Sequence, residues 1–367
     1  MRTAKIFTLL AFIWLIAQPV VFALNVDELL LDRLVEKGIV STDEAAGLRA
    51  ETAIKTQEEK DLQKDFPVVA GKTVKFSGYT QVRYRQDESI NDTFDIRRAR
   101  LDFKSDVTER FDYRLQADFA GTSAKLLDAT IGYKVNPAAK LLLGQFKVPF
   151  SQENLISSPK LETINRSQVV EALVARGKDV IGNQNGRDTG AQLGGTVNQF
   201  DYAVGVFNGA GINAADGNER KDLAVRLVYR PIDALSLGVS GYNGRYTKST
   251  TEAAAVRNRT GLEFAYTPEP FSLKGEYIKG TDNSTNKDGW YLQAVYSFVP
   301  KTLQGVLKYD VYDADMSKAN NESGVTTWGV NYFFNKWAFL QLNYELKSES
   351  GTKVDNNALS AQFTSQF

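Results

Sequence analysis

The side chains best suited to chemistry in this sequence are basic residues that recur at alternate positions between residues 75 and 147. Nine cations share one face: Lys75, Arg83, Arg85, Arg98, Arg100, Lys104, Arg114, Lys134 and Lys147. Four acids share that face: Asp102, Asp112, Asp118 and Asp128. An excess of positive charge on one surface concentrates anions and repels cations. The pattern predicts electrostatic binding of small anions, unless charges of both signs pair and leave the surface weakly selective.

Residue types on which most enzymes and metal sites depend are missing. The 367 residues include no histidine and no cysteine, and the formal net charge is +0. This composition excludes disulfides, thiolate nucleophiles, Cys/His zinc sites and histidine-based proton transfer. Carboxylate-only catalysis is an open alternative, but no carboxylate pair stands out. The sequence predicts no catalytic residue, no metal ligand, no cofactor and no nucleic-acid partner.

The first 23 residues have the pattern of a secretory signal peptide. Arg2 and Lys5 give a positive start, and residues 6–16 form an apolar run too short to span a bilayer comfortably. Small residues near Ala23 predict cleavage after that position. The alternative is a retained membrane anchor.

Residues 24–70 have a helical pattern and differ from the rest of the chain. Leu30, Leu34 and Ile39 lie near one stripe, and Ser41 or Thr42 is placed to cap a second helix. The segment predicts two short periplasmic helices that associate as a coiled coil. A solvated linker is the alternative.

From residue 71 to residue 367 the hydrophobic period changes to two. In the segment after Trp337, Leu340, Leu342 and Tyr344 share one face, while Gln341 and Asn343 share the other. Runs of about ten residues with this alternation are typical of strands that cross an outer membrane. Sixteen such strands are centred near residues 80, 99, 115, 130, 143, 192, 204, 226, 239, 262, 275, 294, 308, 330, 342 and 361. The predicted fold class is all-β: a transmembrane antiparallel β-barrel of about 16 strands.

The predicted connections alternate between short turns and mostly longer polar loops, which include 280–288. Sorting of turns and loops to opposite ends is typical of an outer-membrane barrel. A soluble β-sandwich that binds sugars is a weaker alternative, because its second sheet face would be a packed core.

One connection, residues 149–188, is far longer than usual, and long loops are normally functional. Folded inward, it would narrow the pore to a constriction; the alternative is a loop that lies outside. In the irregular strand that leads into it, we expect Phe146 and Val148 to face outward and Gln145 and Lys147 inward.

Several segments carry a resemblance to a known family. They are FDIRRARL at 94–101, FDY at 111–113, GQFKVPFS at 144–151, GRDTG at 186–190 and YAVGVFNG at 202–209. Together they resemble the phosphate-selective porin O and P family. That resemblance implies a homotrimer of sixteen-stranded barrels, an inward third loop and basic residues along the path.

By motif position, the resemblance implies an anion-binding cluster of Arg97, Arg98, Lys147 and Arg166. Arg97 lies out of phase with the lumen face unless a bulge turns it inward. The predicted pore-lining and anion-binding residues are Arg83, Arg85, Arg97, Arg98, Arg100, Arg114, Lys147 and Arg166.

These patterns predict an exported porin of a Gram-negative-type outer membrane. It would form a water-filled channel for passive diffusion of small anions, with phosphate as a candidate solute and membrane lipid or lipopolysaccharide around it. The alternative is a non-selective or plugged barrel whose N-terminal helices or loops bind a partner.

Overall fold

The computed structural model describes residues 28–50, 52–53, 68–69, 72–247 and 254–367. The predicted signal peptide, residues 1–23, lies outside the described residues, as does part of the predicted helical segment 24–70. The chain divides into two compact units, Met1–Phe66 and Pro67–Phe367. No helix in the described ranges is long and apolar enough to cross a bilayer.

The first unit contains two short helices. Helix α1 spans Glu28–Glu36, and helix α2 covers residues 42–50. The Glu44 N–H donates to Ser41 Oγ at 3.2 Å, and the Ser41 N–H donates to Glu44 Oε2 at 3.0 Å. The pair satisfies two donors that a helix start leaves free, and the Ser41 N–H lowers the pKa of Glu44. The predicted N-terminal helices are therefore present; their association as a coiled coil stays a prediction.

Within the described part of the second unit, sixteen antiparallel strands form a closed barrel. Each strand pairs with its neighbours in sequence, and the last pairs with the first. The strands are β1 Lys75–Asp87, β2 Thr93–Asp106, β3 Phe111–Asp118, β4 Lys125–Asn136, β5 Ala139–Lys147, β6 Arg187–Val197, β7 Phe200–Phe207, β8 Asp222–Ile232, β9 Leu235–Tyr246, β10 Ala255–Tyr266, β11 Phe271–Asp282, β12 Thr285–Val299, β13 Leu303–Asp313, β14 Glu322–Phe333, β15 Ala338–Glu349 and β16 Ala358–Gln366. The predicted all-β barrel of about 16 strands is confirmed.

The barrel closes through the last residues of the chain. Strand β16 runs antiparallel to β1, with Gln366 opposite Tyr79. Beyond it, the Phe367 N–H donates to the Gly78 carbonyl at 3.0 Å, and the Phe367 ring lies 5.3 Å from the ring of Phe76. Closure leaves the sixteen described barrel strands without an unpaired edge, which a bilayer would not tolerate.

Burial alternates along the strands in the opposite sense to a soluble protein. On β15, Tyr344 and Leu346 are exposed on the outer surface, while Gln341, Asn343 and Glu345 are buried inside. Exposed apolar residues such as Leu115, Ile131, Leu227 and Leu262 continue this outer surface on other strands. An apolar exterior around a polar interior suits a barrel in hydrocarbon.

One predicted loop is wrong. Residues 280–288 were expected to form a long polar loop, but β11 continues to Asp282 and β12 begins at Thr285. Asp282 pairs directly with Thr285, and Asn283 has a φ of 55°. Asparagine tolerates this left-handed conformation, so the polar residues extend a hairpin with a two-residue turn.

Gly144 provides a test of strand packing in β5. Its φ is +120°, and a Cβ at this position would lie 2.1 Å from the Ala129 carbonyl oxygen. We expect Gly144→Ala to lower the free energy of unfolding by about 1–3 kcal/mol through backbone strain, measured by urea unfolding in lipid vesicles. Gly217→Ala, whose Cβ would make an ordinary contact of 3.6 Å with Thr247, is the matched control. Equal stability of the two variants would contradict this account of Gly144.

Candidate functional site

The connection between β5 and β6 folds into the barrel and packs on the wall formed by β10–β15. Gln152 Nε2 donates to the carbonyl of Gly275 at 2.9 Å, and the Ile164 N–H donates to Asn343 Oδ1 at 2.6 Å. Its helical turns are α3 Gln152–Leu155, a 3-10 turn Ser158–Lys160 and α4 Gln168–Leu173. We call this connection, residues 148–186, the lumen loop. On the opposite side it also reaches β2, where Arg100 Nη2 donates to Asn185 Oδ1 at 3.3 Å.

An apolar contact holds the lumen loop against the barrel. Val169, Val170 and Leu173 of α4 are fully buried in a cluster that includes inward residues such as Ile278 and Tyr291. Burying an aliphatic side chain of this size contributes roughly 1.5–3 kcal/mol. Helix α4 is therefore held chiefly by the hydrophobic effect.

The same cluster corrects the expected phase of two residues. Phe146 and Val148 were expected to face lipid, but they are 4% and 6% exposed and belong to the apolar cluster. The Phe146 ring lies 5.5 Å from that of Phe207. Because the loop brings apolar surface into the lumen, inward residues next to it need not be polar.

Buried carboxamides fix the middle of the lumen loop. Gln341 Nε2 donates to the Leu161 carbonyl at 2.9 Å, and Asn331 Nδ2 donates to the Glu162 carbonyl at 2.9 Å. Gln293 Nε2 donates to the Glu162 side chain at 3.1 Å. A buried amide left without a partner would be costly, so these contacts specify the position of the loop.

An ion pair anchors the end of the lumen loop. The Arg257 guanidinium donates Nε and Nη2 to the two oxygens of Asp179 at 3.0 and 2.9 Å. Burial opposes ionisation of Asp179, but Arg257, Arg259 and the Ala175 N–H outweigh it and lower the pKa of Asp179. The anchor is therefore charged at neutral pH.

A cavity of about 750 Å³ lies between the lumen loop and the barrel wall. Its eleven basic residues are Arg83, Arg85, Arg97, Arg98, Arg100, Lys125, Arg166, Arg176, Lys178, Lys308 and Lys347. Its five acidic residues are Asp118, Glu171, Asp310, Glu345 and Glu349. The described residues contain no cluster of carboxylates suited to a metal ion. The cavity is thus strongly positive and lined by side chains that donate hydrogen bonds.

A β-bulge brings Arg97 into this cavity. Gln81 pairs with Arg98 and Val82 with Ile96, so Arg97 is an extra residue in β2. Bulges re-aim side chains in this way. On the N-terminal side of the bulge, the inward and outward positions of β2 are exchanged. Asp95, which was not expected in the lumen, therefore lies there and pairs with Arg83.

The predicted pore residues divide into two groups. Six of them line the cavity: Arg83, Arg85, Arg97, Arg98, Arg100 and Arg166. Arg114 lies against Asp102 and Asp128 at 2.7 and 3.1 Å. Lys147 Nζ donates to the carbonyls of Leu155 and Ile156 at 3.1 and 2.9 Å. The structure therefore brings six of the eight to one cavity and leaves Arg114 and Lys147 outside its lining.

Several cavity residues were absent from the predicted set. Arg176 and Lys178 come from the lumen loop, where no periodicity indicates which way a side chain points. Lys308 and Lys347 lie on alternating strands whose phase places them on the lumen face, but alternation does not show that they border the same cavity.

Four arginines of the cavity have no carboxylate within salt-bridge distance in the described part of the chain. Arg98 donates to the Gln81 amide at 2.8 Å, Arg166 to the carbonyl of Glu153 at 3.0 Å, and Arg176 to Asn154 Oδ1 at 2.7 Å. Arg97 Nη1 is buried without a hydrogen-bond acceptor. We call Arg97, Arg98, Arg166 and Arg176 the unpaired arginines.

Two of the unpaired arginines belong to the lumen loop. Burial lowers the pKa of both Arg166 and Arg176, and Arg166 adds to the effect on Arg176. Arginine remains protonated at neutral pH despite such shifts. These positive charges are therefore close enough to repel one another, and an anion between them would relieve that repulsion.

Comparison with known proteins agrees with this architecture. The family described as phosphate-selective porin O and P matches residues 74–367. The chain belongs to this family. It is an outer-membrane porin with a barrel channel. A search of curated proteins gave no match.

Solved structures similar to this porin share its fold at low sequence identity. An anion-selective porin from Comamonas acidovorans has a TM-score of 0.61 at 16% identity, covering 81% of this chain and 100% of that chain. The outer membrane channel DcaP of Acinetobacter baumannii has a TM-score of 0.61 at 14% identity, covering 81% and 98%. OmpF of Salmonella typhi, in complex with daunomycin, has a TM-score of 0.61 at 13% identity, covering 81% and 98%.

Asp179 provides a test of the loop anchor. Asp179→Asn would leave the buried Arg257 without its charged partner, which typically costs about 3–5 kcal/mol. We expect a mobile lumen loop and fluctuating single-channel current at pH 7. In the unmodified porin, Asp179 stays ionised down to pH 3.8, the ordinary pKa of an aspartate, because its own pKa is lowered. The current should therefore be steady at pH 5 and become noisy only below pH 3.8.

The matched control is Asp216→Asn, which removes an ion pair with Lys221 in the loop 208–221. Surface pairs of this kind contribute little. Steady current in Asp179→Asn, or equal noise in both variants, would contradict the anchoring role of Asp179.

Proposed function

We propose that this porin conducts small anions by passive diffusion and that phosphate is among its solutes. The supporting observation is the set of unpaired arginines beside the cavity. A guanidinium already paired with a carboxylate offers a passing anion little net attraction, whereas an unpaired one keeps its full charge. Four such groups within one cavity favour anions over cations.

The proposed path runs along the inner face of β1–β3. The apolar cluster, the buried carboxamides and the ion pair bind the lumen loop to the opposite wall. The path for water and solute is therefore on the arginine-rich side. Low-dielectric walls strengthen the field of fixed charges inside such a passage. In this proposal the lumen loop is the constriction.

The proposed roles differ among the predicted residues. Arg97, Arg98 and Arg166 bind the anion directly, joined by Arg176. Three further cavity residues, Arg83, Arg85 and Arg100, have acidic neighbours and guide anions towards the site. Arg114 and Lys147 contribute positive potential from outside the cavity lining.

The proposed assembly is a homotrimer in the outer membrane, surrounded by lipid and lipopolysaccharide, and its proposed activity is transport and not catalysis. A solved neighbour at 15% identity, OmpT of Vibrio cholerae, is described in a trimer form. The apolar outer surface of the strands would contact both membrane and partner subunits.

Export is proposed to remove residues 1–23. Mass spectrometry of the protein isolated from outer membranes is expected to give a mature chain that starts at Leu24. A chain that retains Met1 would contradict signal cleavage.

The selectivity proposal is tested by single-channel recording in asymmetric potassium chloride. We expect chloride to be favoured, and added phosphate to reduce the chloride current by competing for the same arginines. The double variant Arg97→Gln/Arg98→Gln should lower the ratio of chloride to potassium permeability by about thirtyfold, because each of the two lost charges contributes about 1 kcal/mol, a factor of about five, even under water-like screening.

The matched control is Lys301→Gln, which removes one positive charge in an exposed turn. It should leave selectivity unchanged. Equal chloride and potassium permeability in the unmodified porin would overturn the proposal, and the absence of stable conductance steps would indicate a plugged barrel.

A further inference from the structure

The cavity is lined by charges of both signs, and Lys308 and Lys347 share β13 and β15 with three of its carboxylates. The unpaired arginines lie on β2 and the lumen loop, whereas three carboxylates, Asp310, Glu345 and Glu349, line the cavity from β13 and β15. Within the described residues, none of these three lies within salt-bridge distance of a cation. Opposite charges in one water-filled cavity that do not neutralise each other create a field across it.

Glu345 is hydrogen-bonded to an uncharged partner. Glu345 is 8% exposed, and its Oε1 accepts a hydrogen bond from Asn165 Nδ2 at 2.6 Å. The nearby lysines bond elsewhere: Lys308 Nζ donates to the Asn165 carbonyl at 2.8 Å, and Lys347 Nζ donates to the Asn356 carbonyl at 2.7 Å. Glu345 therefore has hydrogen-bonded to it a neutral amide and no cation among the described residues.

Arg97 shares the cavity lining with two carboxylates, Glu171 and Glu345. It interacts electrostatically with Glu171 and Glu345, although no described carboxylate lies within salt-bridge distance of it. Glu171 lies on α4, where its Oε2 accepts the Gly177 N–H at 3.2 Å. Arg97 Nη1 is buried without an acceptor. The cavity therefore holds an unsatisfied donor and two carboxylates with no cation within salt-bridge distance among the described residues.

We propose that the cavity recognises small zwitterions that carry an oxyanion group at one end and an ammonium group at the other. The oxyanion binds the unpaired arginines, and the ammonium lies between Glu171 and Glu345. A cavity of about 750 Å³ falls within the usual size range of sites for small organic molecules. This inference rests on the proposed anion pore and narrows its solute class.

The inference predicts that the cavity binds a zwitterion more tightly than an anion of similar size. A cavity that attracted solutes by positive charge alone would show the opposite order. O-phosphoethanolamine has less net negative charge than ethyl phosphate, so a purely cationic cavity binds ethyl phosphate more tightly. One ammonium–carboxylate contact in water-like surroundings corresponds to about a fivefold gain in affinity, and to more between low-dielectric walls. The zwitterion should therefore bind about fivefold more tightly than ethyl phosphate.

The experiment measures block of the single-channel chloride current by each compound in the full-length porin. One pair is O-phosphoethanolamine and ethyl phosphate, and the second is β-alanine and propionate. The pair with the larger preference identifies whether the oxyanion is a phosphate or a carboxylate. Inorganic phosphate is measured alongside as the reference for the proposed function.

Glu171→Gln and Glu345→Gln should each reduce the preference for the zwitterion at least about threefold, because each removes one partner of the ammonium. Block by inorganic phosphate should persist or strengthen in both variants, since a repelling charge is gone. The chloride current itself confirms that each variant is folded. Glu269→Gln, in an exposed turn outside the cavity, is the matched control and should keep the preference.

Two results would overturn the inference in distinguishable ways. Block by inorganic phosphate without any preference for either zwitterion would reject the zwitterion site and leave the anion pore intact. Loss of anion selectivity and of all block would reject the anion pore, and the zwitterion site with it.

Discussion

A strand that crosses a bilayer must find partners for all its backbone polar groups, because hydrocarbon offers none. This chain meets the constraint by joining β16 to β1, with Phe367 bonded to Gly78 at the seam. Closure in turn divides every strand into a face for lipid and a face for water. The polar residues therefore gather inside, where the lumen loop uses them as anchors.

The lumen loop gives the interior its asymmetry. It buries α4 against β11 and β12, bonds to the carboxamides of β12, β14 and β15, and ends in the Asp179–Arg257 pair. These contacts occupy the inner face of the barrel on β10–β15. The cavity that remains lies between the bulged strand β2, the loop itself and strands β13–β15, so arginines of β2 and of the loop meet in it.

The strands could be predicted from sequence because alternation is a local property that survives closure, as on β15. The phase of Arg97 could not, because one extra residue reverses the alternation and nothing in FDIRRARL marks where the extra residue falls. Phe146 was misplaced because both faces of its strand are apolar. The role of Arg176 could not be predicted because it depends on how the lumen loop folds. The same holds for the Asp179–Arg257 pair, which joins residues 78 positions apart.

The bulge at Arg97 has a consequence for how such a channel can change. Gln81 pairs with Arg98 and Val82 pairs with Ile96, so residue 97 has no partner residue on β1. Losing that one codon would leave the flanking side chains of β2 on the sides they now occupy, and the neighbouring strands in register. Insertion and deletion at a single site can therefore alter the charge of the passage while the lipid-facing surface stays the same.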